Sequence, residues 1–482
     1  MKSKYKIING RFAVAALSFV AALFLSSGAV AQESSGVLQQ SDAMALSGSG
    51  GIGQANSVKS SFVRIYTLKE CLEEGIEKNY SLKIVRNEQK ISDNNATLGN
   101  AGFWPSLDLQ GSYRGNSQDT ETKLREDKSV IEENNIFNTT IDAGLDLNWT
   151  IFEGFNVMAS YKRLKELQSQ GELKTRMAIE DFIAGFTAEY YNYIQQIIRL
   201  KNFEYAVALS KERLRIVEQR YIIGNFSGLD YQQAKVDFNS DSSNYVKQHE
   251  ALQSSAIALN ELLAEEVLNA KVMVQDTLID VNKGLDFNHL MESMLKYNTE
   301  LLFAKKNSRI AELDYKRTVS QSYPYLRLNA GYGYTLNKYN KGANYHKGTL
   351  GFDFGATLGV NIFDGNNARV QRRNAKINIE NVQLEETDVE QSLKAQLYTI
   401  WHAYQNNLQI LQLEQENLVA AKDNHEIAME RYMLGDLSGI EMREAQKSLL
   451  DAEERILTAR YNTKLCEISL LQISGEIATY LQ

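Results

Sequence analysis

The 482-residue chain carries 52 Lys and Arg against 60 Asp and Glu, a net charge of −8, with only two Cys and two Pro. An acidic chain of this kind is a poor partner for nucleic acid. Cys71 and Cys466 are too few for a disulfide scaffold, and sequence alone leaves open whether they pair.

Residues 1–31 read as a cleaved secretory signal: Lys2, Lys4, Lys6 and Arg11, then the apolar run Ala13 to Leu25, then Ala29-Val30-Ala31. Their removal takes the formal charge from −8 to −12. No Cys follows the cleavage site, and nowhere downstream is there a run of about eighteen apolar residues that would make a membrane helix. Residues 32–61, rich in Ser and Gly, are expected to form a disordered leader.

The rest is a tandem duplication, with repeat 1 expected over 62–270, a linker over 271–287 and repeat 2 over 288–482. Each repeat opens on a helical pattern, Thr67 to Ala101 and about His289 to Val319, with an Asn about eleven residues in (Asn79, Asn298). Each of the two prolines then opens strictly alternating stretches, predicting strand hairpins over about 105–152 and 324–363. Leu107, Leu109 and Tyr113, with Ile141 to Ile151 in their partner run, mark one apolar face in copy one. Leu326 to Tyr334 and Leu350 to Ile362 do so in copy two. The opposite faces are Gly, Asp, Asn, Ser and Thr, as a water-filled lumen favours, and the apolar faces run about ten residues, the length of a tilted membrane strand. Trp104, Trp149, Tyr323 and Phe363 fit interfacial aromatic girdles. The alternative is a half-buried sheet of a water-soluble domain. The polar connection is longer in copy one, about Asn116 to Asn138, by eight residues.

After each hairpin comes a very long helical run, 155–221 and 366–432, which at 1.5 Å per residue would reach roughly 100 Å. A seven-residue spacing (Phe186, Tyr193, Leu200, Val207, Leu214, Tyr221; Leu397, Tyr404, Leu411, Leu418, His425, Tyr432) predicts left-handed supercoiling. Both runs end in one motif, Arg220-Tyr221-x-x-Gly224-x-x-Ser227-Gly and Arg431-Tyr432-x-x-Gly435-x-x-Ser438-Gly, 211 residues apart. These are tip turns, 222–229 and 433–440, each followed by a return helix.

Four membrane strands cannot close a barrel, and an open edge in lipid leaves backbone groups unsatisfied at several kcal/mol each. Two chains would supply eight strands, whose interior side chains fill; three would supply twelve, wide enough to conduct.

The ordered set of signal peptide, duplication, two hairpins, long helices and paired Arg-Tyr-x-x-Gly tips resembles the TolC family of outer-membrane efflux channels (outer membrane factors) over residues 62–482. The resemblance implies a mixed α and β membrane protein: a homotrimer sharing a twelve-stranded outer-membrane β-barrel, four strands per chain, continued by a periplasmic α-helical coiled-coil barrel. It implies a passive exit duct in a tripartite efflux system, working with a periplasmic adaptor and an inner-membrane pump, without cofactor or metal. It places acidic lumenal residues at the tip of repeat 2, which fall here on Glu441 and Glu444. Three apart on a helix they share a face, and threefold symmetry would gather six carboxylates about the axis, whose crowding should raise some of their pKa values. The bland reading is a solvated acidic face. Tyr432 and Asp230 match the family's gate contacts, but Leu437 stands where the family has an Arg. Arg220, Gly224, Ser227, Arg431, Gly435 and Ser438 would be the tips an adaptor grips; ordinary helix-turn chemistry would also select them.

The same duct would serve type I protein secretion. A trimeric structural fibre or adhesin would also use heptads and a barrel, though it needs no paired hairpins. A periplasmic enzyme has no nucleophile motif, phosphate loop or ligand spacing to support it.

Overall fold

The structure, a computed structural model, describes residues 65–481 apart from 225, 226, 271 and 343. The expected signal peptide and leader lie outside the described residues.

Each repeat begins with two helices where the sequence pattern suggests one. Repeat 1 has α1 (Leu68–Lys78) and α2 (Tyr80–Asn95), preceded by the two-residue strand β1 (Ile65–Tyr66). Repeat 2 has α5 (Phe287–Tyr297) and α6 (Thr299–Ser320). The break falls on Asn79 and on Asn298, both extended with ψ 129° and 122°. Each Asn caps the following helix with its carbonyl oxygen, accepting from Leu82 N in one copy and Leu301 N in the other. Its amide nitrogen donates to the end of the return helix, Leu262 O or Ile473 O, which are themselves 211 residues apart. Local side-chain bonding beats helix continuation here, which apolar periodicity cannot register.

The hairpins are β2 (Ser106–Lys123) with β3 (Val130–Glu153), and β5 (Tyr325–Tyr339) with β6 (His346–Gly359). They join through β3 and β5 into one antiparallel sheet in the order β2-β3-β5-β6, so β2 and β6 are edges. The register sets Leu109, Leu145, Tyr332 and Phe352 in one row, and Leu107, Leu147, Ala330 and Phe354 in another two residues away. Between them on the opposite face lies the row Asp108, Asp146, Gly331 and Asp353. Leu107, Leu109, Leu350, Phe352, Phe354 and Leu358 are exposed on the isolated chain. What reads in copy one as a long polar loop is largely ladder, paired out to Lys123 and Val130 beyond a bulge at Gln118/Thr120. Thr120, Thr122, Val130 and Ile131 have the β propensity to carry it without an apolar face.

From the sheet run α3 (Asn156–Ile222, 67 residues) and α7 (Asn367–Leu434, 68 residues), returned by α4 (Gly228–Leu262) and α8 (Gly439–Ser474). None of the described helices is long and apolar enough to cross a membrane. The core lies midway along the long helices and is itself duplicated. Phe186, Tyr193 and Leu259 sit in one cluster, Leu397, Tyr404 and Leu470 in the other, each pair 211 apart. The inter-repeat segment, with its short strand β4 (Met273–Val274) pairing β1, is held between them: Tyr193 Oη donates to Val272 O at 2.7 Å and Tyr404 Oη to Asn282 O. A 3₁₀ turn, Ile477–Leu481, closes this belt. There the buried Lys464–Glu467 pair (2.7 Å) is completed by Tyr480 Oη and Asn282 N, both donating to Glu467.

Toward the tips the two long helices diverge. In α7 the heptad stays inward through Leu411, His425 and Tyr432. In α3 the buried stripe is Ala206, Ser210, Arg213 and Val217, one residue off the spacing read at Val207, Leu214 and Tyr221. The cause is polar: Arg213 turns inward to Asp237 on α4, at 2.9 Å, while Tyr221 leaves the seam and stacks on Tyr231.

Both cysteines are free. Cys71 is buried and its thiol is pushed up to about 12, by burial first and then by Glu74 and Glu70.

Two stability predictions follow from these joints. Asn298→Ala, which removes a cap and orphans a buried carbonyl, should cost about 1–3 kcal/mol in urea denaturation. Gly154→Ala should be far worse than Gly365→Ala, although both glycines have positive φ (+55° and +73°). A Cβ at Gly154 would lie 2.4 Å from Ser320 O and 2.6 Å from Tyr323 Cβ, whereas at Gly365 the nearest atom is 3.8 Å away. The Gly365 variant should lose about 1 kcal/mol from backbone strain alone, and the Gly154 variant should fall sharply in folded yield; equal melting temperatures would contradict the clash.

Candidate functional site at the helical tips

Each tip is a glycine-terminated helix followed by a capping box. Gly224 (φ +84°) and Gly435 (φ +83°) stop α3 and α7 in the left-handed region. In the second tip, Gly435 N donates to Tyr432 O and Asp436 N to Arg431 O, satisfying carbonyls that the helix end would orphan. Ser227 and Ser438 then cap α4 and α8. In each, the Ser hydroxyl accepts from the N3 backbone N–H, and the N3 carboxylate, Asp230 or Glu441, accepts from the Ser backbone N–H.

These caps already engage four of the residues singled out from sequence, Ser227, Asp230, Ser438 and Glu441. Asp230 is bound to Ser227, and Tyr432, 2% exposed, has an unpartnered hydroxyl, so within one chain the two do not bond each other. The Ser438 hydrogen bonds hold the Glu441 carboxyl below its ordinary value in the single chain, the direction opposite to the crowding expected of a ring. The cap's stabilisation is therefore fully present above the ordinary carboxylate value and is lost as pH falls below it through the depressed one. Glu444, one turn on, is exposed like Glu441. Arg431 pairs with Asp436 inside its own turn at 3.1 Å, and the Arg220 guanidinium lies 5.9 Å from the Tyr432 ring centroid. Leu437 packs against the cluster of Ala428, Tyr432, Met442 and Ala445, an apolar contact where the resemblance would set a cation.

The polar links between the two hairpins lie deeper. Arg443 on α8 clasps Asp241 on α4 through two hydrogen bonds of 2.7 Å, and this bond, with Asp237 nearby, raises the guanidinium above its ordinary value. Farther from the tip, Arg199 on α3 clasps Glu454 on α8, Nε to Oε2 at 3.0 Å and Nη2 to Oε1. Sequence reading passed over these residues because none belongs to a motif. One signal was available: their counterparts 211 residues away are Gln232, Ala452, Ile410 and Ser243, so each charge breaks the duplication.

Among the described residues no cluster of three or more His, Cys, Asp or Glu could hold a metal ion. His425, buried in the α7 stripe, is lowered from its ordinary value by desolvation, and its Nε2 has no partner.

Comparison with known proteins fits this geometry. The sequence model of the outer membrane efflux protein family matches residues 72–265 and again 290–476. The chain is 20% identical to the outer membrane protein TolC of Vibrio cholerae over 436 residues, covering 89% of this chain and 94% of that one. It is 21% identical over 426 residues to the cation efflux system protein CusC of Escherichia coli O157:H7, with 85% of each chain covered. Among solved structures, a membrane protein from Pseudomonas aeruginosa superposes with a TM-score of 0.70 at 17% identity, over 85% of this chain and 90% of that one. With both halves matched by the same family and the tips, hairpins and long helices all in place, the chain belongs to the outer membrane efflux protein family.

Proposed function

We propose that three copies of this chain form a passive duct that carries small molecules from the periplasm out through the outer membrane, as the exit component of a tripartite efflux system. The observation that carries this reading is the four-stranded sheet. Its large apolar side chains share one face, Gly and mostly polar residues the other, and both edge strands lack a neighbour in the chain. Joining β2 of one copy to β6 of the next satisfies every edge, and twelve strands leave an open lumen.

The helices continue that lumen toward the periplasm, where the tips would meet an adaptor and, through it, an inner-membrane pump. In this reading the energy for transport is supplied by that partner. Glu441 and Glu444 would line the periplasmic constriction, and the tip residues Arg220, Gly224, Ser227, Arg431, Gly435 and Ser438 would present the docking surface. Tyr432 takes part in closure through packing and the Arg220 guanidinium. The polar closure expected of Tyr432 and Asp230 passes instead to Arg443–Asp241 and Arg199–Glu454, which tie the repeat 2 hairpin to the repeat 1 hairpin.

Planar-bilayer recording of the reconstituted protein tests the duct: steady cation-preferring conductance is expected, and silence from a correctly assembled trimer would favour a structural stalk. Glu441→Gln with Glu444→Gln keeps the capping hydrogen bond while removing charge. It should weaken tip-side block by multivalent cations roughly tenfold or more; unchanged block would remove the carboxylates from the constriction. Arg443→Leu leaves Asp241 buried and unpaired, a cost of about 3–5 kcal/mol. It should raise open probability, with Arg443→Leu/Asp241→Leu returning toward the parent. Conductance indifferent to Arg443→Leu would exclude the seam from gating.

A further inference from the structure

Between the two hairpins near the tip lies a cavity of about 180 Å³, walled by Leu209, Glu212, Arg213 and Ile216 of α3, Met429, Tyr432 and Met433 of α7, and Met442 and Gln446 of α8, with the Glu212 carboxylate taken up by Arg215. Several of its polar atoms make no hydrogen bond. Gln446 is 1% exposed, and neither its amide nitrogen nor its oxygen makes a hydrogen bond. The buried Tyr432 hydroxyl is likewise unpaired. Arg213 sits 2.9 Å from Asp237 but off-angle, so its Nε and Nη1 make no hydrogen bond.

Leaving a buried donor or acceptor unsatisfied costs about 1–3 kcal/mol, and here one amide contributes one of each. Water can meet the polar atoms of such a space, but five of its nine lining side chains are Leu, Ile or Met, and an apolar guest gains by covering them where water does not. An engineered apolar cavity of about 150 Å³ takes up benzene, so this one accommodates a six-membered ring and a few further atoms. Thioethers favour the edge of an aromatic ring. The side-by-side N–H and C=O of Gln446 match the N–H and C=O of another amide, and the surplus donors of Arg213 and Tyr432 call for an acceptor oxygen. The Arg213 charge already faces Asp237, so the guest need carry none.

We infer that this cavity is a binding site for a small neutral molecule of about ten non-hydrogen atoms, an apolar ring bearing one amide-type group. Its occupant touches α3 of repeat 1 and both α7 and α8 of repeat 2, and so bridges the seam that Arg443 and Asp241 close. The pocket is specific to this seam: 211 residues earlier, Gln446 and Met442 correspond to Lys235 and Tyr231.

Benzamide is the probe. Saturation-transfer NMR on the full chain in detergent should show saturable binding with a Kd on the order of 1 mM. Gln446→Leu, which keeps side-chain volume and removes the polar edge, should weaken it at least tenfold. Should that variant not fold, Met433→Trp at the exposed rim should close the mouth with the same loss. No saturable signal, or an affinity indifferent to both substitutions, overturns the site and leaves the cavity to water. Because binding is read directly, that failure would leave the duct reading intact, and a silent bilayer would leave the site intact.

Discussion

Backbone groups in lipid must be satisfied, and this chain cannot satisfy them alone. The β2 and β6 edges each present a row of N–H and C=O groups with no partner in the same chain. In hydrocarbon every such group costs several kcal/mol, a debt that no side-chain contact in the sheet can offset. The rest of the architecture answers to that constraint. The outward face of the sheet is apolar because it meets acyl chains; the inward face is small and polar because closure leaves water inside. The chain resides in the outer membrane with its tunnel extending into the periplasm, and none of its described helices is long and apolar enough to cross a bilayer.

Duplication supplies the strands economically, and the structure separates what it preserves from what it breaks. The core residues at Phe186 and Leu397, Tyr193 and Tyr404, Leu259 and Leu470 repeat faithfully, as do the Asn pivots and capping boxes. These features position each hairpin on its own column, a task identical in both halves. The charges that join one hairpin to the other do not repeat, because a seam between two nearly identical units has two different sides. Arg443 needs an Asp across from it, not another Arg.

The tip is built first of all from local capping chemistry. Glu441 is an ordinary capping carboxylate, held ionised by Ser438, before it is anything else. An ionised, exposed carboxylate fixed at the start of α8 is compatible with the constriction proposed for it. Leu437, by contrast, packs against Tyr432 and Met442, and the polar bonds between the two hairpins lie farther up the column, at Arg443 and Asp241.

The sequence by itself determined the duplication, the strands, the lengths of the long helices and the two tip turns. All of these rest on local period, on proline and glycine, or on repetition at a fixed offset. Only the tertiary structure decided where the first helix of each repeat breaks, because the amide of Asn79 or Asn298 is drawn to a carbonyl some 180 residues away. It likewise decided that the buried stripe of α3 rotates by one residue toward Arg213, and that Gln446 lines a cavity between the hairpins. A heptad states which face of a helix is apolar. Which charge meets which across three helices depends on their rotation and stagger, and those are settled only when the helices pack.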